Sequence, residues 1–288
     1  MENYPFGISS SEAPLLTFLL LSDIHLNFKK LEKLKNWFFS SCSEKIDYLL
    51  ILGDFDNISQ ISLDIDKLIC AKSESNISNI LSFLEFLACP IFYIPGNHDA
   101  FSLFNKDPDV NPFEHKKLTQ SSTNLHMATF QINKDLQILG LGGSIPAFKE
   151  KENKPFYEGF PYMTDDELRK DIEKIKGAFS EKTQTIFLTH NGPENSSTSL
   201  NYSSDPNDPI YFGSKALFEV LREKNNILVN CHGHIHDAAG KSRINNVEII
   251  NPGSLGHGDF CILQIARNSV DNKWIVKMIS FLNLDAFN

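Results

Sequence analysis

The hydrophobic residues of this chain are concentrated in short runs that end abruptly at polar residues. Runs of this kind, bounded by turn residues, predict buried β-strands. Between several of them the apolar positions take a helical spacing, as in Phe28–Phe39, where residues 28, 31, 34, 37 and 38 share one helical face. The five clearest strand-like runs are Leu15–Leu21, Tyr48–Leu52, Ile91–Ile94, Thr185–Leu188 and Ile227–Val229.

Three further segments have the features of helices, namely Ile77–Leu87, Asp165–Phe179 and Gly213–Leu221. The second of these begins at Thr164-Asp165-Asp166-Glu167, which is typical of a capping box with acidic residues at the positive end of the helix. Alternation of strands and helices predicts a layered α/β fold. No domain boundary, internal repeat or low-complexity tract is visible, so we predict a single domain over residues 1–288.

The pattern changes after residue 236, where short strands follow one another without helices between them. We predict that this tail completes an antiparallel part of a sheet. Two longer polar stretches, Asn191–Pro209 and Phe104–His115, are predicted to be loops, and loops longer than about 12–15 residues are often functional. The predicted strands of the tail are Lys241–Arg243, Val247–Ile250, Phe260–Ile265 and Trp274–Ile279.

Charge, cysteine content and the lengths of the apolar runs indicate which partners and which cellular location to expect. The formal net charge is -9, which disfavours non-specific binding to a nucleic-acid backbone. Five cysteines without a CxxC pair are typical of reduced thiols rather than a disulfide framework. The run Leu15–Leu21 has no preceding Lys or Arg and is far shorter than the roughly 20 apolar residues of a membrane span. We therefore expect a cytoplasmic protein that does not bind a membrane.

Residues of the types that bind metals follow each of the five strand-like runs. In layered α/β folds, ligands bind beyond the carboxyl ends of the strands, so groups far apart in sequence can meet there. Side chains two positions apart in an extended segment point the same way, which lets Asp23 and His25 serve one site. The candidate ligands are, in chain order, Asp23, His25, Asp54, Asn97, His190, His234 and His236.

The mixture of donor atoms indicates a pair of transition metals. Imidazole suits Zn, Fe and Mn, and carboxylate oxygen suits Mn and Mg, whereas a structural zinc is usually four-coordinate and rich in thiolate. A carboxylate can bridge two cations, and Asp54 is the natural bridge. We therefore expect two divalent ions, with Mn, Zn or Fe favoured. Two ions roughly 3.5–4 Å apart can generate a hydroxide and hold both ends of an in-line displacement, which predicts phosphoester hydrolysis.

The five clusters, in this order, resemble the calcineurin-like metallophosphoesterase family. The resemblance extends from residue 23 to residue 236. Two further motifs, Gly213-Ser214-Lys215-Ala216 and Asn251-Pro252-Gly253-Ser254, resemble a branch of small, stand-alone phosphoesterases. The fold that this resemblance implies is a four-layer α/β/β/α sandwich, with two facing mixed sheets and flanking helices.

The resemblance also implies a role for each candidate residue. His98 would be a histidine that binds no metal and protonates the leaving group, and Asp99 would orient His98. One metal would be held by Asp23, His25, Asp54 and His236. The second would be held by Asp54, Asn97, His190 and His234.

The expected function is metal-dependent hydrolysis of a phosphomonoester or phosphodiester through a dinuclear centre and a bridging hydroxide, on a small phosphorylated substrate. Two alternatives remain open: a scaffold that binds partners and has weak activity, and a nuclease. The complete set of candidate ligands favours an enzyme, and the negative net charge of the chain disfavours a nuclease. We predict a structural role for His232, while His257 lies in a Gly-rich turn from which it could reach the site.

Overall fold

The computed structural model describes residues 15–58, 67–105, 115–149, 155–202 and 207–287. Its α-helices are α1 (Phe28–Ser41), α2 (Lys67–Leu84), α3 (Asp165–Ile175) and α4 (Lys215–Glu223). Its strands are β1 (Leu15–Leu21), β2 (Tyr48–Ile51), β3 (Ile91–Tyr93), β4 (Ser122–Asn124), β5 (Ala128–Asn133), β6 (Leu136–Leu141), β7 (Phe148–Lys149), β8 (Gln184–Thr189), β9 (Leu200–Asn201), β10 (Ile210–Tyr211), β11 (Ile227–Cys231), β12 (Gly240–Ile244), β13 (Val247–Asn251), β14 (Asp259–Arg267) and β15 (Trp274–Asn283).

Two six-stranded sheets contain most of these strands. In the first sheet the order is β15-β14-β1-β2-β3-β4. β1 to β4 are parallel, β14 is antiparallel to β1, and β15 is antiparallel to β14. In the second sheet the order is β12-β13-β11-β8-β6-β5, with the four central strands parallel and both edge strands antiparallel. Both sheets are therefore mixed, as predicted.

The C-terminal tail is divided between the two sheets, which the prediction of one antiparallel part did not anticipate. β12 and β13 belong to the second sheet, where β13 also pairs in parallel with β11. β14 and β15 cross to the first sheet, where β14 pairs along β1 from Leu15↔Ala266 to Leu20↔Cys261. The tail thus contributes strands to both sheets of the fold.

Alternate residues of the central strands enter different hydrophobic cores. Along β1, Phe18 and Leu20 lie in the core between the two sheets, whereas Leu19 and Leu21 lie in the core beneath α1 and α2. A strand covered on both faces is nearly continuously apolar, which explains why six of the seven residues of β1 are leucine or phenylalanine. Since α3 and α4 pack on the outer face of the second sheet, the layer order is α/β/β/α, and the predicted sandwich is confirmed.

The helices deviate from the predictions mainly at their ends. α2 begins at Lys67, ten residues before the predicted Ile77. The sequence did not predict its first turns because they are largely exposed and have no apolar stripe. α3 begins as predicted, with the Thr164 side chain accepting a hydrogen bond from the Glu167 N–H. The α-helix ends at Ile175, and a short 3₁₀ turn, Lys176–Ala178, follows.

A third, small sheet of three strands in the order β7-β10-β9 was not predicted. Its buried residue Ile210 packs with Ala147, Phe212 and Ile235 in a separate small core. This sheet borders the site described below. Within the described ranges, none of the helices has the length and apolar character required to span a membrane.

Candidate active site

Side chains from both large sheets meet at one edge of the sandwich, beyond the carboxyl ends of five parallel strands. Three of these strands, β1, β2 and β3, are neighbours in the first sheet, and β8 and β11 are neighbours in the second. The segments that follow the five strands contain all the predicted metal ligands. The topology therefore brings together residues that are more than 200 positions apart in sequence.

The first group of candidate ligands comprises Asp23, His25 and His236, whose ligand atoms lie within 4.8 Å of one another. Nε2 of His236 is 3.2 Å from Oδ1 of Asp23 and 3.1 Å from Nε2 of His25. Two imidazole nitrogens that face each other and a carboxylate at this distance form a suitable donor set for a divalent cation.

The second group comprises Asp54, His190 and His234, again with ligand atoms within 4.8 Å of one another. The amide oxygen of Asn97 joins this group, because Oδ1 lies 2.9 Å from Nε2 of His190. Nδ1 of His190 donates to the Leu52 carbonyl at 2.6 Å, which leaves Nε2 as the nitrogen directed at the group. A hydrogen bond of this kind fixes the tautomer of a metal-binding histidine.

Asp54 connects the two groups through a single oxygen atom. Its Oδ2 is 3.4 Å from Nε2 of His190 in the second group and 3.9 Å from Nε2 of His25 in the first. Its Oδ1 accepts a hydrogen bond from the backbone N–H of His98 at 2.8 Å. Asp54 therefore has one oxygen held by the backbone and the other placed between two potential cations.

The buried carboxylates of the site create a strongly negative environment. Oδ1 of Asp23 is buried and accepts no hydrogen bond of adequate geometry from the described residues, although an isolated buried carboxylate oxygen is costly. Burial tends to raise the pKa of Asp23, but the His236 and His190 imidazoles together outweigh it and lower the pKa to about 2. Burial tends to lower the pKa of His190, but Asp54 and Asp23 raise it to about 9. These carboxylates thus attract positive charge, which bound cations would supply.

Unusual backbone geometry accompanies the candidate ligands. Asp23, His25, Asp54 and His234 have φ angles of 53°, 50°, 56° and 72°, in the left-handed region that non-glycine residues seldom adopt. Each such residue costs on the order of 1–3 kcal/mol, and residues of this kind cluster at active sites. These backbone conformations therefore lower local stability and direct the four side chains into the site.

Glycine is required at the base of the site because of close backbone approach. A Cβ atom at Gly96 would lie 2.1 Å from Oδ1 of Asp54 and 2.4 Å from its backbone nitrogen. Gly53 has a φ of 101°, and a Cβ there would lie 2.6 Å from Nδ1 of His190. Neither position can accept a side chain without displacing a candidate ligand.

We predict that Gly96→Ala weakens metal binding by about 10- to 100-fold, the range typical of changes to groups that orient metal ligands. The added methyl group would displace the Asp54 carboxylate, and calorimetric titration with Mn²⁺ measures the effect. Gly177→Ala is the matched control, because a Cβ at Gly177 meets nothing within 4 Å. Wild-type affinity in Gly96→Ala would show that the Asp54 position is not critical.

His98 lies at the wall of the site, next to the two ligand groups. Its Nδ1 is 3.0 Å from the Ile58 carbonyl, to which it donates. Its ring centroid is 5.4 Å from that of His25. With Nδ1 engaged by the backbone, Nε2 is the nitrogen left to exchange a proton with a bound molecule.

Asp99 contacts the backbone of the turn that presents Asp54. Its carboxylate accepts hydrogen bonds from the backbone N–H groups of Asp54, Phe55, Asp56 and Gly96, at 2.8 to 3.0 Å. The carboxylate therefore clamps the turn that presents Asp54, while the Ile58 carbonyl contacts the His98 ring. That Asp99 orients His98 stays a prediction.

Two buried asparagines shape the loops around the site. Asn191 accepts from the Ile145 N–H and donates to the carbonyls of Gly192 and Phe212. Asn251 donates to the carbonyl of Ile235, which lies between two candidate ligands. The sequence indicated that Asn191 follows a ligand, but its partners are set by tertiary structure and had no sequence signal.

The two remaining histidines flanking the site differ in environment. His232 is fully buried, and its Nε2 is 2.8 Å from Oγ1 of Thr198, which fits the predicted structural role. Burial lowers its pKa to about 4. His257 lines the mouth of the site, with its ring centroid 5.4 Å from that of His236.

A cavity of about 510 Å³ opens over the ligand groups. Sequence reasoning missed several of its wall residues, although the aromatic cluster Phe156–Phe160 in a turn region was a usable signal. Of the predicted loops, Asn191–Pro209 contributes Asn201, and its residues 203–206 lie outside the described residues, as do residues 106–114 of the second loop. The wall residues missed are Tyr157, Glu158, Phe160, Phe212 and Asp237.

Solved structures with this fold are similar to the chain over nearly its whole length. The protein TT1561 of Thermus thermophilus is 14% identical, with a TM-score of 0.57 over 94% of this chain and 100% of that one. A dimetal phosphatase from Danio rerio is 12% identical, with a TM-score of 0.52 over 94% of this chain and 99% of that one. At such low identity these similarities support the fold alone. No curated protein matches the chain at a significant level.

A sequence-family model described as calcineurin-like phosphoesterase matches residues 16–238. The match includes every strand that presents a candidate ligand, from β1 to β11, and ends directly after His236. The order of the clusters, the four-layer sandwich and this match agree with one another. The chain belongs to the calcineurin-like phosphoesterase family.

Proposed function

We propose that this protein is a metal-dependent phosphoesterase, which hydrolyses a phosphomonoester or phosphodiester at a dinuclear centre. The observation that carries the proposal is the position of Oδ2 of Asp54 between two groups of ligands, 3.4 Å from Nε2 of His190 and 3.9 Å from Nε2 of His25. A carboxylate in this position is suited to bridge two cations. The Danio rerio dimetal phosphatase with the same fold is consistent with this proposal.

The donor set fits two divalent ions of the Mn, Zn or Fe type. Histidine nitrogens and carboxylate oxygens contribute to both groups, and Asn97 adds a neutral oxygen to the second. When bound, two such ions lower the pKa of water and neutralise charge on a phosphoryl group. Asp23, His25, Asp54 and His236 would hold the first ion, and Asp54, Asn97, His190 and His234 the second.

The protein contributes orientation and a proton. His98 lines the cavity with Nδ1 held by the Ile58 carbonyl, so a protonated Nε2 can donate to the leaving oxygen as the phosphorus–oxygen bond breaks. General acid catalysis of this kind contributes about 100- to 10,000-fold. The Asp99 carboxylate holds the turn around Asp54 and so preserves the geometry of the bridge.

The expected substrate is a small phosphorylated molecule. A cavity of about 510 Å³ lies in the range that accommodates small ligands. The net charge of -9 disfavours a long nucleic-acid backbone. A partner-binding scaffold would not need a full set of ligands around a bridging carboxylate, so the geometry favours an enzyme.

A substrate panel with defined metals tests the proposal. Metal-free protein would be reloaded with Mn, Zn, Fe, Co or Mg and assayed on p-nitrophenyl phosphate, bis-p-nitrophenyl phosphate, cyclic nucleotides and a phosphopeptide. We expect hydrolysis that disappears on chelation and returns with at least one transition metal. Absence of turnover with every metal and substrate would favour the scaffold alternative, and salt-sensitive binding to DNA would favour a nuclease.

A further inference from the structure

The cavity wall next to the ligand groups is aromatic. Phe212 contacts the candidate ligand His234 edge to face, with ring centroids 5.1 Å apart and planes at 82°. Tyr157 stacks on Phe212, with centroids 5.7 Å apart and planes at 27°. These rings form a continuous path from a candidate metal ligand to the mouth of the cavity.

Tyr157 is the outer ring of this path, and neighbouring residues hold it in position. Its backbone pairs with Ala147, and the Phe156 ring contacts it at a centroid distance of 4.9 Å. Its side chain is nevertheless 52% exposed, whereas Phe212 behind it is only 6% exposed. A large ring that is fixed by its neighbours and still open to the cavity is suited to contact a bound molecule.

The charges around the cavity disfavour ionic recognition of a second anionic group on the substrate. Among the described residues that line it there is no Lys or Arg, while Glu158 and Asp237 contribute carboxylates. A second phosphate or a carboxylate on the substrate would therefore meet carboxylates but no Lys or Arg among the described wall residues. The carboxylates disfavour a further anionic group on the substrate, and the aromatic wall favours an uncharged one.

We propose that Tyr157, backed by Phe212, is a specificity-determining residue that selects phosphoesters whose leaving group contains an uncharged aromatic ring. This inference rests on the proposed function, because it assigns the leaving group of the same reaction. Stacking of aromatic rings contributes beyond simple burial of apolar area, equivalent to about 2- to 12-fold in binding.

A matched pair of substrates isolates this contribution. 2-Phenylethyl phosphate and 2-cyclohexylethyl phosphate have similar size and similarly unactivated alkyl leaving groups, and differ mainly in the planar ring. The readout is the ratio of their kcat/KM values on the metal-loaded enzyme. We expect wild type to favour the phenyl substrate, Tyr157→Leu to lower the ratio by about 2- to 12-fold, and Tyr157→Phe to retain it.

Tyr211→Leu is the control, since Tyr211 is an exposed aromatic residue of the small sheet, 42% exposed, that does not line the cavity. It should leave the ratio unchanged. An unaltered ratio in Tyr157→Leu, or an equal change in Tyr211→Leu, would overturn the specificity role and leave the phosphoesterase proposal intact. Failure of wild type to hydrolyse both substrates and the nitrophenyl esters would instead overturn the proposed function, and the specificity role with it.

Discussion

Replacing His98 by alanine is expected to lower kcat by about 100- to 10,000-fold on an alkyl phosphoester, the contribution of a general acid. The metals should remain bound, because the contact between His98 and Asp54 uses the backbone N–H, which alanine retains. Steady-state kinetics and metal analysis on the same sample measure both effects.

The leaving group provides an internal control for His98. A nitrophenolate departs without needing a proton, whereas an alkoxide needs one, so the loss in His98→Ala should be much smaller for a nitrophenyl ester. Equal losses for both leaving groups, with the metals retained, would assign His98 a role other than proton donation. Full activity on the alkyl ester would remove it from the mechanism.

Replacing Asp54 by asparagine is expected to abolish activity together with metal binding. The amide keeps the shape of the side chain and an oxygen that can accept from the His98 N–H, but it lacks the charge needed to bridge two cations. Metal affinity should fall by more than the roughly 100-fold typical of changes outside the ligand shell. Calorimetric titration with Mn²⁺ and an assay of the reloaded variant provide the measurement.

Two comparisons separate loss of the bridge from loss of the fold. Metal-free Asp54→Asn should keep the far-UV circular dichroism spectrum of metal-free wild type, because the amide keeps the shape of the side chain and an oxygen that can accept from the His98 N–H. Asp47→Asn, before the opposite end of β2, should keep normal metal content, since Asp47 accepts from the Thr17 N–H far from the site. A variant of Asp54 that binds two metals and remains active would refute the ligand assignment.

The sequence predicted the central part of the fold, and where the candidate ligands would meet, for a physical reason. Strands buried on both faces are nearly continuously apolar, and parallel strands present their carboxyl ends at one edge of a sheet. The runs before Asp23, Asp54 and His190 therefore indicated both the strands and where the following side chains would meet. The structure places Asp23 with His25 and His236, and Asp54 with His190 and His234. That these groups bind metals stays a prediction.

Other features had no comparable signal. The small sheet consists of two-residue strands such as Ile210–Tyr211, too short for any periodicity. The crossing of β14 back to β1 depends on pairing between residues more than 200 positions apart. Likewise, the Asp99 carboxylate accepts hydrogen bonds from backbone N–H groups that become its neighbours only after folding.

The central claim is that Asp54 bridges two metal ions, and manganese loading tests it most directly. Protein reconstituted with Mn²⁺ and freed of excess metal would be measured by elemental analysis and electron paramagnetic resonance. We expect two manganese ions per chain with the spectrum of a magnetically coupled pair, as for ions roughly 3.5–4 Å apart. A single ion per chain, or two ions with uncoupled spectra, would contradict it.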